Sequence, residues 1–310
     1  MLRFFASKLL RAIATVLAVV TFAFVILRLS GDPALMMMGP EAPPDAIAAF
    51  RAAWGLDEPL WRQYLDYIVA VLRGDLGVSM RDRRPALDLV LERLPDTLAL
   101  MLPAFALKLG IGIPAGIYAA LHRDTWIDRT TMAFSVAGYS IPNFVLGLML
   151  VLLFAVNLRW LPSSGAESWR HLVLPVIVLG TAGAGILARF TRSTMLEVLG
   201  QPYVRTAIAK GVPWYRVINW HALPNAAIPT VTVVGFMVGS LIAGAVVTES
   251  VFAWPGIGRQ LVVAVSQRDV AVVQVILLLV AASMVASNLA VDMLYGWLDP
   301  RVRTTPAKEG

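Results

Sequence analysis

Long apolar runs recur along this 310-residue chain, and they leave few folds open to it. A helix needs about 20 apolar residues to cross the roughly 30 Å of hydrocarbon in a bilayer. Six segments meet or approach that length: Leu9–Leu29, Leu98–Leu121, Thr130–Val156, Leu172–Ala188, Ala226–Val247 and Ala271–Leu294. The fourth is short and carries Gly180, Gly183 and Gly185. Charged residues make up 15% of the chain, against about 25% in a soluble domain. The pattern predicts an all-α, polytopic membrane protein with six spans. The first run is too long for a signal peptide. Leu-Arg-Leu-Ser-Gly-Asp-Pro follows it in place of a small-residue cleavage site, so it is read as a retained span.

The charges set an orientation, because short cytoplasmic loops are rich in Lys and Arg. One set of loops and both ends hold Arg3, Lys8, Arg11, Arg123, Arg129, Arg189, Arg192, Arg205, Lys210, Arg216, Arg301, Arg303 and Lys308 against five acids. The segment 30–97 holds seven Arg and 11 acids. Both termini are therefore expected in the cytoplasm and the 30–97 loop outside. Cysteine is absent, which excludes disulfides, thiolate metal sites and Cys nucleophiles. His122, His171 and His221 are too scattered in sequence to suggest a metal site. Met36–Met38 beside a span reads as apolar packing rather than a soft-metal site. No G-x-x-x-x-G-K-[ST], H-E-x-x-H or G-x-S-x-G motif is present, so the chain carries no signature of nucleotide binding or hydrolysis.

Within the outer loop, Trp61, Tyr64, Leu65, Ile68 and Leu72 recur at helical spacing and predict an amphipathic helix between Glu58 and Arg73. The inner loop reads YVRTAIAKGVPWYRVINWHALPNAAIP over residues 203–229. Glu197–Lys210 is expected to be a helix ending at Gly211. Pro213 suits the first position of a second helix reaching Ala222, with Pro224 interrupting the backbone before the fifth span. Trp214, Val217, Ile218 and His221 then share one face. Such a face serves a groove on another protein or the headgroup layer, and periodicity alone does not choose between them.

Arg205-Thr206-Ala207, three residues, Gly211, nine residues, then His221-x-Leu223-Pro224 resembles the cytoplasmic loop signature of bacterial ABC-importer permeases. The general signature has Glu-Ala-Ala and Ile-x-Leu-Pro; Arg-Thr-Ala and His-Ala-Leu are similar to variants in the dipeptide/oligopeptide branch. The same branch is matched, in order, by Gly31-Asp32-Pro33, Leu56-Asp57-Glu58-Pro59-Leu60 and Gly74-Asp75-Leu76-Gly77. It is matched again by Glu249-Ser250-Val251-Phe252, Trp254-Pro255-Gly256, Gly258, Asn288, Asp292, Tyr295 and Asp299-Pro300-Arg301. Gly39-Pro40-Glu41-Ala42 and Trp160-Leu161-Pro162-Ser163-Ser164-Gly165-Ala166 look most like glutathione/dipeptide permeases.

The resemblance implies a type I ABC importer permease in a bacterial cytoplasmic (inner) membrane. Residues 1–97 would form the first span and outer loop. Residues 98–300 would be the permease core, with a coupling loop at 189–225, and 301–310 a cytoplasmic tail. The chain would be no enzyme and hold no cofactor or metal; ATP and Mg would be bound by partner ATPases. Its partners would be a second permease, two ATP-binding subunits, an extracytoplasmic binding protein and the bilayer, with no nucleic acid. Arg205, Thr206, Ala207, Gly211, Pro213, Trp214, Val217, Ile218, His221, Leu223 and Pro224 would engage the ATPase. The implied cargo is a dipeptide or short oligopeptide, with glutathione or a nickel complex as alternatives.

Ionisable residues in spans are costly and suggest function. Lys108 is near the middle of the second span, and Tyr139, Asn143 and Gln274 are further candidates for the substrate pathway. Glu249 and Asp292, near span ends, read as structural or gating. Pro114 and Pro142 read as kinks. A proton-coupled carrier using Lys108, Glu249 and Asp292 is the rival mechanism. It calls for inverted repeats with matching broken spans, which the two halves do not clearly show. A membrane scaffold is the other rival, and it leaves the ordered outer-loop motifs unexplained.

Overall fold

The computed structural model describes residues 10–298 apart from positions 11, 12, 16, 23, 26–30, 32, 40 and 242–244. Side-chain surroundings are not described at 33, 36, 37, 292 and 294–298. Part of the expected first span, both charged termini, Asp292 and part of Met36–Met38 thus lie outside what is described. The regular structure among the described residues is helical, with one isolated bridge, Val78 to Pro85. Two compact units emerge: Met1–Asp96 with Pro255–Ser283, and Thr97–Trp254 with Met284–Gly310.

The first unit contains α1 (Pro33–Met38), α2 (Pro44–Ala53), α3 (Leu60–Leu72), α4 (Ala86–Leu91) and α12 (Ile257–Ser266). It also holds the start of α13 (Val270–Leu298). The expected outer-loop helix is α3, but its apolar residues divide. Tyr64 and Tyr67 pack on Phe24 with ring centroids 5.4 and 6.0 Å apart, and the Tyr64 hydroxyl lies 2.7 Å from Thr21 Oγ1. Burial pushes the Tyr67 hydroxyl up to about 12. Trp61, Leu65 and Leu72 stay exposed. Asp269 caps α13 by accepting from the Val272 N–H at 3.5 Å, and its other oxygen accepts from Ser79 in the 78–85 loop.

The second unit is organised around α8 (Arg170–Leu199). Around it stand α5 (Leu94–Leu121), α6 (Trp126–Ser140), α7 (Asn143–Leu150, running on as a π-helical turn to Asn157), α9 (Pro202–Ala209), α10 (Trp214–Gly239) and α11 (Val246–Val251). The sequence suggests a short fourth span, Leu172–Ala188. It is instead a 30-residue helix and the centre of the unit. Its glycines explain why. A Cβ on Gly185 would lie 2.5 Å from the Ser135 carbonyl oxygen of α6, so the two backbones touch. On α5, Gly112 and Gly116 meet the Ala184 and Ala188 carbonyls in the same way, at 2.9 and 2.5 Å. Small residues let helices approach closely where apolar burial gives no net drive in lipid.

Four described helices are long and apolar enough to cross a membrane, or five with α6 and α7 counted as one. The third span is not the single helix Thr130–Val156 that its hydropathy suggests: α6 and α7 meet at 97°. Ile141 precedes Pro142 and is held extended (φ −81°, ψ 120°) by the proline ring. Pro114, by contrast, stays inside α5. The fifth span begins at Trp214 rather than Ala226 and its helix ends at Gly239.

Candidate functional site

The basic loop is built from three helical pieces. The helix expected over Glu197–Lys210 is two: α8 runs to Leu199, and α9 starts at Pro202. Gln201, ahead of that proline, is extended with ψ 147°. At the far end of α9 the Gly211 N–H donates to the Ile208 carbonyl at 2.9 Å and the Val212 N–H to that of Ala207 at 3.2 Å. This is a Schellman cap, and it needs the left-handed backbone that Gly211 adopts (φ +77°). Val212 completes the cap by packing with Val204, Ala207 and Val217.

Beyond Pro213 the chain does not form a separate short helix. Trp214–Gly239 is continuous, and Pro224 sits inside it. A proline lacks an N–H and crowds the preceding turn. Here that turn, Val217–Ala222, is π-helical and makes the room. Asn225 Nδ2 donates to the His221 carbonyl at 2.7 Å across the same junction. The expected Trp214–Val217–Ile218–His221 face is therefore split. Val217 is fully buried against the α9 cluster, while Ile218, His221 and Leu223 are half-buried. The aromatics left outward are Trp214, Tyr215 and, 76% exposed, Trp220. Arg205, Thr206, Pro213, Arg216 and Pro224 share this exposure; Ala207 is buried. Arg216 Nε donates to the Tyr215 hydroxyl at 3.0 Å.

The polar residues of the spans are not one cluster. Lys108 is half-buried and its stem lies across Gly183 of α8. Tyr139 and Asn143 flank the α6–α7 break. Gln274 is buried and belongs to the first unit. Three polar contacts escaped sequence reasoning. Arg192 clasps Asp128 with Nε–Oδ1 at 2.5 Å and Nη2–Oδ2 at 2.6 Å. Asp128 is only 3% exposed. Thr97 donates to the buried Glu249 carboxylate at 2.8 Å. Arg189 Nη1 donates to the Tyr139 hydroxyl at 3.3 Å. Hydropathy ends the fourth span at Ala188 and leaves Arg189 and Arg192 to a loop; both are instead well inside α8.

Sequence comparison places this architecture. The profile of the family described as "Binding-protein-dependent transport system inner membrane component" matches residues 112–304, and that of its N-terminal part matches 1–101. The chain belongs to this family. Among curated relatives, the permease is 44% identical over 305 residues to the glutathione transport system permease protein GsiC of Escherichia coli O6:H1, covering 98% of this chain and 99% of the relative. Its counterparts in E. coli K12 and Salmonella choleraesuis are 43% and 45% identical over the same shares. Two solved structures of inward-facing conformations of the MetNI methionine ABC transporter superpose with TM-scores of 0.55 and 0.56. They are 18% and 20% identical, and cover 69% and 68% of this chain and 98% and 96% of those chains. The fold is that of a type I ABC importer permease. The chain is a multi-pass inner-membrane transport subunit, of a family that works with an ATPase and a binding protein.

Proposed function

We propose that this permease is one half of a heterodimeric, ATP-driven import pore for short peptides, with glutathione the first cargo to test. A sister permease supplies the other half, two ATPase subunits bind ATP and Mg below it, and an extracytoplasmic binding protein delivers the cargo. Both termini and the basic loop face the cytoplasm. The observation that carries this reading is the capped turn at Gly211 leading without interruption into the membrane-length helix α10.

The physical requirement is differential binding. ATP drives alternating access only if the ATP-bound ATPase arrangement favours one state of the pore. The connection must therefore be stiff. The exposed Trp214, Tyr215 and Trp220 side chains, with the exposed Arg205 and Arg216 of the same basic loop, supply an aromatic and basic surface for a groove on the ATPase. Val217 locks that surface to α9, and α10 carries its displacement into the bilayer. Hydrolysis by partner chains is in keeping with a sequence that has no phosphate-binding loop motif. The peptide cargo rests on the full-length similarity to glutathione permeases.

The test is to solubilise the tagged chain gently from its native membrane and identify what accompanies it. Co-purification of a second permease and ATPase subunits is expected, with ATP-dependent glutathione uptake when the binding protein is added. Recovery of the chain alone, with uptake following a proton gradient, would overturn the proposal.

A further inference from the structure

Three sectors run along α3, and one of them is an exposed apolar stripe. Tyr64 and Tyr67 face the first apolar run, where both pack on Phe24. Trp61, Leu65, Val69 and Leu72 follow at spacings of four, four and three, so they share a face. All four are exposed. Arg62 and Asp66, with Arg73 at the helix end, form the third sector; they are exposed too, and Arg62 pairs with Glu58 at 3.4 Å. At about 100° per residue the charged sector lies opposite the tyrosines, and the apolar stripe fills the flank between them.

This helix is too short to cross a bilayer. Its 13 residues are about 20 Å long at 1.5 Å per residue, against roughly 30 Å of hydrocarbon. It also ends in a closed cap. The Gly74 N–H donates to the Val71 carbonyl at 3.0 Å and the Asp75 N–H to that of Ala70 at 2.9 Å, with Gly74 left-handed at φ +82°.

The contacts of α3 set its level. Thr21 and Phe24 stand eight and five residues before the end of the apolar run at Leu29. In a spanning helix that is roughly 7–12 Å inside the end of the run. The hydroxyls that meet there are spent on protein. Thr21 Oγ1 donates to the Leu17 carbonyl at 2.7 Å, so the Tyr64 hydroxyl donates to Thr21 Oγ1, also at 2.7 Å. Such pairing suits hydrocarbon, where no water replaces a missing partner. Because the Tyr64 side chain reaches down to this level, the helix itself lies at the boundary between acyl chains and headgroups. Interfacial helices settle about 5–10 Å into that boundary, with Trp and Leu toward lipid and charges toward water. Trp and Tyr favour the same level.

We infer that α3 is an in-plane anchor, its apolar stripe bedded in the acyl chains of the leaflet at the Leu29 end of the first span and its charged sector turned to headgroups and water. The test uses the assembled importer in nanodiscs of phosphatidylethanolamine and phosphatidylglycerol. A single nitroxide is placed in turn at Leu65→Cys, Leu72→Cys and Asp66→Cys; this chain has no cysteine of its own, and any in partner chains are replaced by serine. Collisions with dissolved oxygen, which concentrates among acyl chains, are compared with those of a water-soluble nickel chelate. The ratio of oxygen to nickel collisions is expected to be severalfold higher at 65 and 72 than at 66. Labels at 65 and 72 as open to nickel as the one at 66 would put the stripe in water and overturn the anchor. Labels there that neither reagent reaches would put it against another protein chain, such as a second permease, and overturn it as well. A label at 66 that favours oxygen equally would remove the water-facing side, and with it the in-plane geometry.

Discussion

Gly211 is the residue on which the geometry of the basic loop turns. Its left-handed backbone closes the cap on α9, and space around it is open, so a side chain there meets a conformational penalty and no clash. That penalty is about 1–2 kcal/mol, small for a chain with so much membrane-buried structure. Gly211→Asp is therefore expected to insert at wild-type level, seen by immunoblot of membranes, and to lose ATP-coupled uptake. Normal uptake by that variant would sink the coupling role. The Asp128–Arg192 pair behaves differently. Removing one partner of a buried pair strands the other, at a cost of roughly 3 kcal/mol. Arg192→Ala should lower the thermal unfolding midpoint in detergent by several degrees, and the swapped Asp128→Arg/Arg192→Asp chain should recover much of the loss. An unchanged midpoint in Arg192→Ala would show that Asp128 finds another donor.

At the scale of helices, α8 makes the sharpest prediction. Gly116 of α5 sits where a side chain would press on the Ala188 carbonyl, whereas Gly110, a turn and a half earlier, faces open space. Gly116→Val should abolish a monodisperse peak in detergent chromatography, and Gly110→Val should keep it. Equal behaviour would mean that α5 and α8 do not touch as described. The helices themselves were legible because apolar length is a direct demand of the bilayer. Their ends were not. Arg189 and Arg192 read as loop because charge is normally excluded from spans, and only the fold shows the partners that they meet along α8, the Tyr139 hydroxyl for Arg189 and Asp128 for Arg192. The elbow at Ile141–Pro142 was hidden for a related reason. Hydropathy averages over a proline, so two helices at 97° and one straight span give the same apolar run. The spacing of the basic loop was legible as a motif. The pairing of Tyr139 with Arg189 was not, since 50 residues separate them.

For the whole molecule, the proposed orientation is open to a direct test, because the natural chain contains no cysteine. With Arg81→Cys as the sole thiol, a membrane-impermeant maleimide should label intact spheroplasts. With Lys210→Cys, labelling should need lysis. Both positions are exposed, so a reversed pattern would invert the topology and remove the basic loop from any cytoplasmic ATPase. The π-helical turn at Val217–Ala222 has a consequence at this scale too. A π turn holds one residue more than an α turn over the same stretch of axis, and each residue of an α-helix is worth about 100° of rotation. Deleting Asn219 would let this stretch relax to an ordinary α turn and leave Trp214 and Tyr215 on their present bearing, whereas deleting a residue from an α-helical part of α10 would swing them by about 100° around the helix axis. The π turn thus takes up one extra residue beside Pro224 without turning the aromatic contact away from its compass bearing.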